Sequence, residues 1–239
     1  VLRGRFLLTD YQGAAANSVT YSVAYENSGA GFRATKVEPL VKGIGASDVE
    51  LGYDGNLYIC DFGGGWSVNT YGSIQVLYPT DSIQKAAGER VAKLFRQDFA
   101  ERSNEELKSL LGDSDRRVRQ AAQFALVEKE GGAEILAEVS AEGKGLLARV
   151  HAVWGLGQLL RNSGHRDSEL VNLLEDPEEE IRANVVRILG DNRFSEAKAD
   201  IMNRLNSDKS IRVRSLAAIA VGRTFNEGEK QAIEALYSA

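Results

Sequence analysis

The sequence predicts an α+β protein whose two structural classes occupy separate parts of the chain: an antiparallel β-meander followed by an α-solenoid of helical hairpins. Residues 1–82 hold 11 of the 18 aromatic residues and 12 of the 24 glycines, whereas the rest is charged, rich in Ala and Leu, and helical in period. One pattern recurs at Arg119, Arg149, Arg182 and Arg214, which are 30, 33 and 32 residues apart. Such a period is typical of stacked helix pairs, because one pair cannot cover its own apolar faces.

Six segments of residues 1–82 alternate between apolar and polar side chains, as β-strands do. They are Phe6–Tyr11, Ser18–Tyr25, Phe32–Val41, Ser47–Tyr53, Asn56–Phe62 and Ser73–Tyr78. Turn residues such as Asp54-Gly55 separate them, so we expect successive strands to pair antiparallel. The single cysteine, Cys60, excludes an internal disulfide, and we expect it to be a small buried residue.

Residues 83–103 are predicted to be a linker and a leading helix. One side of this segment is apolar, which predicts that it packs onto the β part. The apolar residues are Val91, Leu94, Phe95 and Phe99. The α-solenoid then covers residues 104–239, with four repeats and a terminal helix at about Glu227–Tyr237.

Each repeat is predicted to be a hairpin of a helix A and a helix B. The B helices are predicted at residues 115–128, 146–161, 178–189 and 210–221, and the A helices at residues 104–111, 133–140, 168–174 and 196–205. Counted from each repeat arginine, positions −1, +3 and +7 are apolar in all four repeats, which predicts a shared core stripe. Asp113, Asp176 and Asp208 stand six residues before their arginines, where we expect them to cap helix B; the second repeat has Gly143 instead.

The repeated pattern D-x-x-x-x-[VI]-R-x-x-[AV]-x-x-x-[LV] resembles the HEAT-like, or PBS-lyase-type, helical repeat. This resemblance covers about residues 104–239. It implies that aspartates and arginines of neighbouring repeats form a ladder with a scaffolding role. The candidates are Asp176 and Asp208 with Arg149, Arg182 and Arg214.

A second resemblance lies in Asp48–Leu77, which reads DVELGYDGNLYICDFGGGW and closes with YGSIQVL. It is similar to a blade signature of the β-propeller in large bacterial proteins labelled membrane-bound dehydrogenases, which resemble sugar dehydrogenases. The resemblance implies a partial propeller of about one and a half blades and an extracytoplasmic location, periplasmic or secreted. The haem module that often follows in that family needs C-x-x-C-H, which is absent from this sequence. The chain starts without Met, and we expect that it begins partway through a larger protein.

Several classes of function are disfavoured by composition. A net charge of −5 argues against a nucleic-acid partner, which normally requires a basic face. No apolar run reaches about 18 residues, so we expect no membrane insertion by this chain. Asp48 and Asp61 stand at strand ends, where turn hydrogen bonding is the expected role and cation binding the alternative. We expect no catalytic set, no metal and no cofactor, because the two histidines, His151 and His165, both lie in the helical part.

The predicted binding surface lies on the B helices. Positions +2, +5 and +9 point away from the A helices and are expected to line a concave helical face. The predicted partner-binding residues are Phe124, His151, Trp154, Gln158, Asn184, Arg187 and Arg223. Aromatic residues combined with Arg are typical of binding hot spots. The alternative is that Phe124 and Trp154 cover the β part or fill the core.

Two functions follow from these patterns. The first is a scaffold that holds a protein or peptide on the concave helical face, with no complete active site in this chain. The alternative is the C-terminal part of a quinone-dependent sugar or alcohol dehydrogenase whose catalytic blades lie upstream. We expect the first for this chain.

Overall fold

The computed structural model describes residues 4–63, 71–163, 168–226 and 234. It divides into two compact units, Val1–Gln97 and Asp98–Ala239. Three predictions fall outside the described residues: the end of the blade signature at residues 64–66, His165, and the terminal helix apart from Glu234.

The described part of the first unit contains two antiparallel sheets of three strands each. Strands β1 (Phe6–Asp10), β2 (Val19–Ser28) and β3 (Gly31–Lys42) form the first sheet, and β4 (Ala46–Leu51), β5 (Leu57–Asp61) and β6 (Ser73–Leu77) form the second. Strands that are adjacent in sequence are paired in both sheets. The predicted order of an antiparallel meander followed by helices is therefore confirmed. A propeller blade has four strands, so the propeller remains a prediction.

The first sheet turns its polar side chains inward. Thr20 and Ser22 of β2 are buried, whereas Phe6 and Phe32 are more than half exposed. The exposed aromatic rings contact one another: the centroids of Phe6 and Tyr25 are 4.5 Å apart, and those of Tyr25 and Phe32 are 5.5 Å apart. The alternation of apolar and polar residues predicted these strands, but it does not indicate which face of the sheet is covered.

The second sheet has the opposite, conventional arrangement. Leu57 and Ile59 of β5 are buried, and Cys60 between Ile59 and Asp61 is exposed. The expectation that Cys60 is a buried residue is wrong, because side chains of a strand alternate between faces and Ile59 already occupies the inward position.

Helix α1 (Ser82–Leu94) packs on the turn between β4 and β5. Its contact is backbone to backbone, since a Cβ atom added to Gly88 would lie 2.4 Å from the carbonyl oxygen of Asp54. Val91 is buried, and the ring of Phe95 stacks on Tyr53 at 4.0 Å. The leading helix therefore belongs to the β unit, as predicted from its apolar side.

The second unit is a stack of helical hairpins. The hairpins are α2 (Asn104–Leu110) with α3 (Arg116–Glu128), α4 (Gly132–Glu142) with α5 (Leu146–Ser163), α6 (Ser168–Asn172) with α7 (Glu179–Asp191), and α8 (Lys198–Ser207) with α9 (Ile211–Thr224). A short 3₁₀ turn, Leu173–Glu175, extends α6 and contacts α7, and another, Phe99–Glu101, places Phe99 against α3 rather than in the β unit. The B helices α3, α5, α7 and α9 contact one another in sequence order.

The core of this stack is the predicted stripe. All residues at positions −1, +3 and +7 are buried. They are Val118, Ala148, Ile181 and Val213 at −1, Ala122, Ala152, Val185 and Ala217 at +3, and Leu126, Leu156, Leu189 and Val221 at +7. In α5 and α7, position +8 also approaches the next B helix: a Cβ added to Gly157 would lie 2.8 Å from Ile188, and one added to Gly190 would lie 2.6 Å from the Cβ of Ala220.

We predict that Gly190→Ala destabilises the helical unit by about 1–2 kcal/mol. Overpacking costs about 1–3 kcal/mol, and the better helix propensity of Ala offsets up to about 1 kcal/mol of it. Gly222→Ala is the matched control, because nothing lies within 4 Å of its added Cβ. The control variant is expected to be slightly more stable than wild type. Urea unfolding followed by circular dichroism at 222 nm tests whether the two variants change the free energy of unfolding in opposite directions. A stabilising Gly190→Ala would contradict the close approach of α7 and α9.

The repeat arginines connect loops within and between hairpins. Arg119, Arg182 and Arg214 each donate to the carbonyl oxygen of the Asp six residues earlier, at 2.7, 2.7 and 2.8 Å. Arg149 forms an ion pair with Asp176 of the next repeat. Arg182 reaches both carboxylate oxygens of Asp208 in the following repeat, at 2.8 and 3.0 Å. The implied ladder is thus present at Asp176 and Asp208, whereas Arg214 bonds to the backbone of its own repeat.

The repeat aspartates do not cap helix B in the predicted way. Each accepts the N–H of the residue two positions later: Asp113 from Asp115 at 2.7 Å, Asp176 from Glu178 at 2.9 Å, and Asp208 from Ser210 at 2.8 Å. Those later residues occupy the N-cap position of the B helices. The aspartates therefore order the loop that precedes the helix, because they stand too early to reach its own orphan N–H groups.

Candidate protein-interaction surface

The predicted residues divide into an exposed row and a buried row. Phe124, Arg187 and Arg223 are exposed, and Trp154 and Gln158 are partly exposed. His151 and Asn184, both at position +2, are buried. We use the term B-helix face for the side chains that reach the surface on this side of the stack. They are Phe124, Trp154, Gln158, Arg161, Arg187, Asp191, Ile219 and Arg223.

The burial of His151 and Asn184 corrects their predicted role as direct partner contacts. An α-helix turns by ~100° per residue. Measured around the helix axis, position +2 therefore lies about 100° from the centre of the core stripe, and position +5 lies about 160° from it. Neighbouring B helices cover the flanks of α5 and α7, so the side chains at +2 of these two helices are buried, whereas those at +5 and +9 reach the surface. The two buried residues instead contact the exposed ones.

Asn184 links two side chains of the B-helix face. Its carbonyl oxygen Oδ1 accepts hydrogen bonds from Trp154 Nε1 at 2.8 Å and from Arg187 Nη2 at 3.0 Å. Its Nδ2 donates to the carbonyl oxygen of Glu180 at 2.8 Å, which fixes the orientation of the amide. The carboxylate of Glu180 pairs with Arg212 of α9. The hydrogen bond from Arg212 is the main cause that lowers the pKa of Glu180.

His151 anchors the same tryptophan from the other side. Its ring contacts Trp154 edge to face, with centroids 4.8 Å apart and an interplanar angle of 69°. His151 Nδ1 lies 2.8 Å from Oε1 of Gln123, whose Nε2 donates to Gln158 at 2.9 Å. Because the Oε1 atom of Gln123 can only accept a hydrogen bond, the proton of the neutral His151 imidazole is assigned to Nδ1. Burial, with the positive charges of Arg119 and Arg116, lowers the pKa of His151 to about 4.

Two adjacent grooves cross the B-helix face. The first has a volume of about 240 Å³ and lies between α5 and α7. It is lined by Gln123, Trp154, Gly157, Gln158, Arg161, Arg187, Ile188, Asp191 and Asn192. The second has a volume of about 210 Å³, lies between α7 and α9, and is lined by Arg187, Asp191, Leu216, Ile219, Ala220 and Arg223. Arg187 and Asp191 line both grooves.

Sequence reasoning omitted two contributors to this surface. Arg161 lies at position +12 of its repeat and lines the first groove. Continuing the spacing +5, +9 by one further turn would have identified it. Gln123 at position +4 connects His151 to Gln158, but no repeated residue type marks this position in the sequence.

The strand aspartates of the β unit, Asp48 and Asp61, were the candidates for cation binding. No group of three or more His, Cys, Asp or Glu side chains among the described residues has the geometry to hold a metal ion. Asp61 accepts N–H groups from Gly45 at 3.1 Å and Gly63 at 2.9 Å, and Asp48 accepts the N–H of Val49 at 2.8 Å. Both carboxylates therefore make backbone hydrogen bonds, Asp61 at the end of β5 and Asp48 at the register shift inside β4. In the described part of the chain, no helix combines the length and the apolarity needed to span a membrane.

The stacked hairpins and their shared core define the helical unit as a helical repeat structure. The family model described as HEAT repeats matches residues 167–239, which include the last two hairpins. No curated protein matches the chain.

Proposed function

We propose that this chain is a protein-interaction scaffold whose B-helix face holds a protein or peptide partner. HEAT repeats often mediate protein interactions, and residues 167–239 are similar to them. One observation carries the proposal: position +5 of four consecutive B helices places Phe124, Trp154, Arg187 and Ile219 in a row that reaches the surface. Phe124 is 46% exposed and Ile219 is 50% exposed. Exposed aromatic, aliphatic and Arg side chains in one row are typical of interface anchors.

The buried row, which lies beneath the exposed one, supports the same proposal. Asn184 holds Trp154 and Arg187 by hydrogen bonds, and His151 packs against the Trp154 ring. Side chains that are fixed before binding lose less conformational entropy when a partner arrives. Trp154 and Arg187, the central pair of the exposed row, are therefore preorganised for contact with a partner.

Paired substitutions on α9 test this proposal. Ile219 and Ile211 are both exposed isoleucines of this helix, but only Ile219 lines a groove. Peptide ligands selected by display on the immobilised wild-type chain would be measured by fluorescence anisotropy against each variant. We expect Ile219→Ala to weaken binding about tenfold, equivalent to ~1.4 kcal/mol, and Ile211→Ala to change it less than twofold. Selection that yields no ligand, or equal losses for the two variants, would argue against the B-helix face.

A dehydrogenase role remains a second proposal and rests on the resemblance of Asp48–Leu77. Strands β5 and β6 and most of β4 fall within that stretch, and the order of strands followed by HEAT-like helices agrees with it. In this proposal the catalytic residues lie in blades upstream, and the protein is extracytoplasmic. Quinone reduction by the natural protein in the presence of sugars or alcohols tests the redox role, and further blades with a histidine in the preceding sequence would support it.

A further inference from the structure

The groove between α5 and α7 combines an aromatic side chain with more positive than negative charge. Arg161 and Arg187 line this groove together with Trp154. Within the described part of the chain, neither arginine forms an ion pair. The carboxylate that also lines the groove, Asp191, is paired with Arg223 of α9. The lining of the first groove therefore carries two arginines and one carboxylate. Glu180 also interacts electrostatically with Arg187, but it pairs with Arg212 of α9.

This composition favours a carboxylate ligand. An Arg guanidinium presents a planar fork of donors that matches the two oxygens of a carboxylate. The amides of Gln158 and Asn192 line the same groove and supply additional hydrogen-bonding groups. A chain with a net charge of −5 is a poor surface for a polyanion as a whole, so one localised carboxylate fits better than a nucleic acid.

The groove between α7 and α9 is suited to an apolar side chain of the same ligand. Leu216, Ile219 and Ala220 give it an apolar lining, and Arg187 is common to both grooves. Packed helices are separated by about 8–10 Å. An extended peptide advances about 3.3 Å per residue, so two or three residues span the distance from one groove to the next.

We propose that the two grooves bind an extended peptide in which an Asp or Glu carboxylate lies two or three residues from an aliphatic side chain. The carboxylate contacts Arg161 and Arg187, and the aliphatic side chain lies between α7 and α9. This inference rests on the proposed scaffold function and specifies its ligand.

Matched peptide pools test the inference on the full chain. Each pool contains fluorescent, amidated octapeptides with one fixed Leu and, two or three residues away, either Glu or Gln; the other positions are mixtures of Gly, Ala and Ser. We expect the Glu pool to bind about tenfold more tightly than the Gln pool. Arg161→Gln and Arg187→Gln should each remove most of this preference. Lys209→Gln, which removes one exposed charge outside both grooves, should retain it.

The possible results distinguish the carboxylate-peptide inference from the proposed scaffold function. Equal binding of the two pools by wild type would overturn the carboxylate preference and leave the scaffold function intact. A Glu preference that survives both arginine substitutions would overturn the assigned location. If neither pool binds, the peptide inference is overturned. That result would count against the scaffold function only if display also yields no ligand.

Discussion

Asp208→Ala is expected to lower the free energy of unfolding of the helical unit by about 3–5 kcal/mol, the usual cost of removing one partner of a buried ion pair. The side chains of Asp208 and Arg182 are 1% and 4% exposed. Removing the carboxylate leaves the Arg182 guanidinium buried without its counter-ion. It also removes the acceptor of the Ser210 N–H, which orders the loop before α9.

The titration of Asp208 reports the same interaction. Burial raises the pKa of Asp208, but hydrogen bonds from Arg182 and from the Ser210 N–H outweigh it and leave the pKa below its ordinary value. A carboxylate with a lowered pKa stabilises the folded state above its unfolded pKa, and that stability is lost as the pH falls through the folded value. Asp208 therefore stabilises the helical unit at neutral pH.

The ion pair between Arg223 and Asp191 provides a matched control. It also joins neighbouring B helices, but its side chains are 50% and 35% exposed. Exposed pairs contribute about 0.2–1 kcal/mol, so Asp191→Ala should cost less than about 1 kcal/mol. Urea unfolding at pH 7.5 with detection at 222 nm compares the two variants. Similar losses for both would show that Asp208 is not the buried link between the third and fourth hairpins.

The helical repeat was predictable because one stripe of apolar positions recurs in every hairpin. Each B helix needs buried side chains at −1, +3 and +7, and the sequence repeats them at a nearly constant interval. Glycine also recurs at +8 in the last three repeats, and at Gly157 and Gly190 it marks close contacts between B helices. Local pattern and global packing agree here, which is why sequence reasoning succeeded.

The candidate surface was predictable only in part. A helical period indicates that +5 and +9 point away from the core, but it does not reveal how far neighbouring helices cover the flank. His151 and Asn184 are buried for that reason. In the β unit, alternation likewise does not identify the covered face, and so the exposure of Phe6, Phe32 and Cys60 was not anticipated.

The buried row connects fold stability to the proposed binding surface. Gln123, His151 and Asn184 are polar, yet they lie between B helices that are otherwise closely packed. Each is hydrogen-bonded across helices, which offsets the cost of burying a polar group. Both His151 and Asn184 contact Trp154 of the exposed row. A change that disturbs this row should therefore alter stability and the orientation of Trp154 together.

Protonation of His151 is the second large effect that we predict, and its sign follows from the lowered pKa. The pKa of His151 is about 4 in the folded chain, against 6.5 for the unperturbed residue. The unfolded state therefore binds more protons between these values, and stability falls as the pH is lowered through this window. At ~1.4 kcal/mol per pKa unit, the full loss is roughly 3 kcal/mol, of which about 2 kcal/mol is expected by pH 5.

His151→Gln isolates this contribution, because the variant retains an amide partner for Gln123 and cannot acquire the charge. The free energy of unfolding would be measured by urea titration at pH 7.5, 6.5, 5.5 and 5.0, with detection at 222 nm. Wild type should lose about 2 kcal/mol more than His151→Gln between the extremes. Asp208 and Glu180 have lowered pKa values and stay ionised in this range, so they affect both proteins equally. Parallel curves would mean that His151 is accessible to protons in the folded state, and that the row beneath Trp154 is more hydrated than its burial indicates.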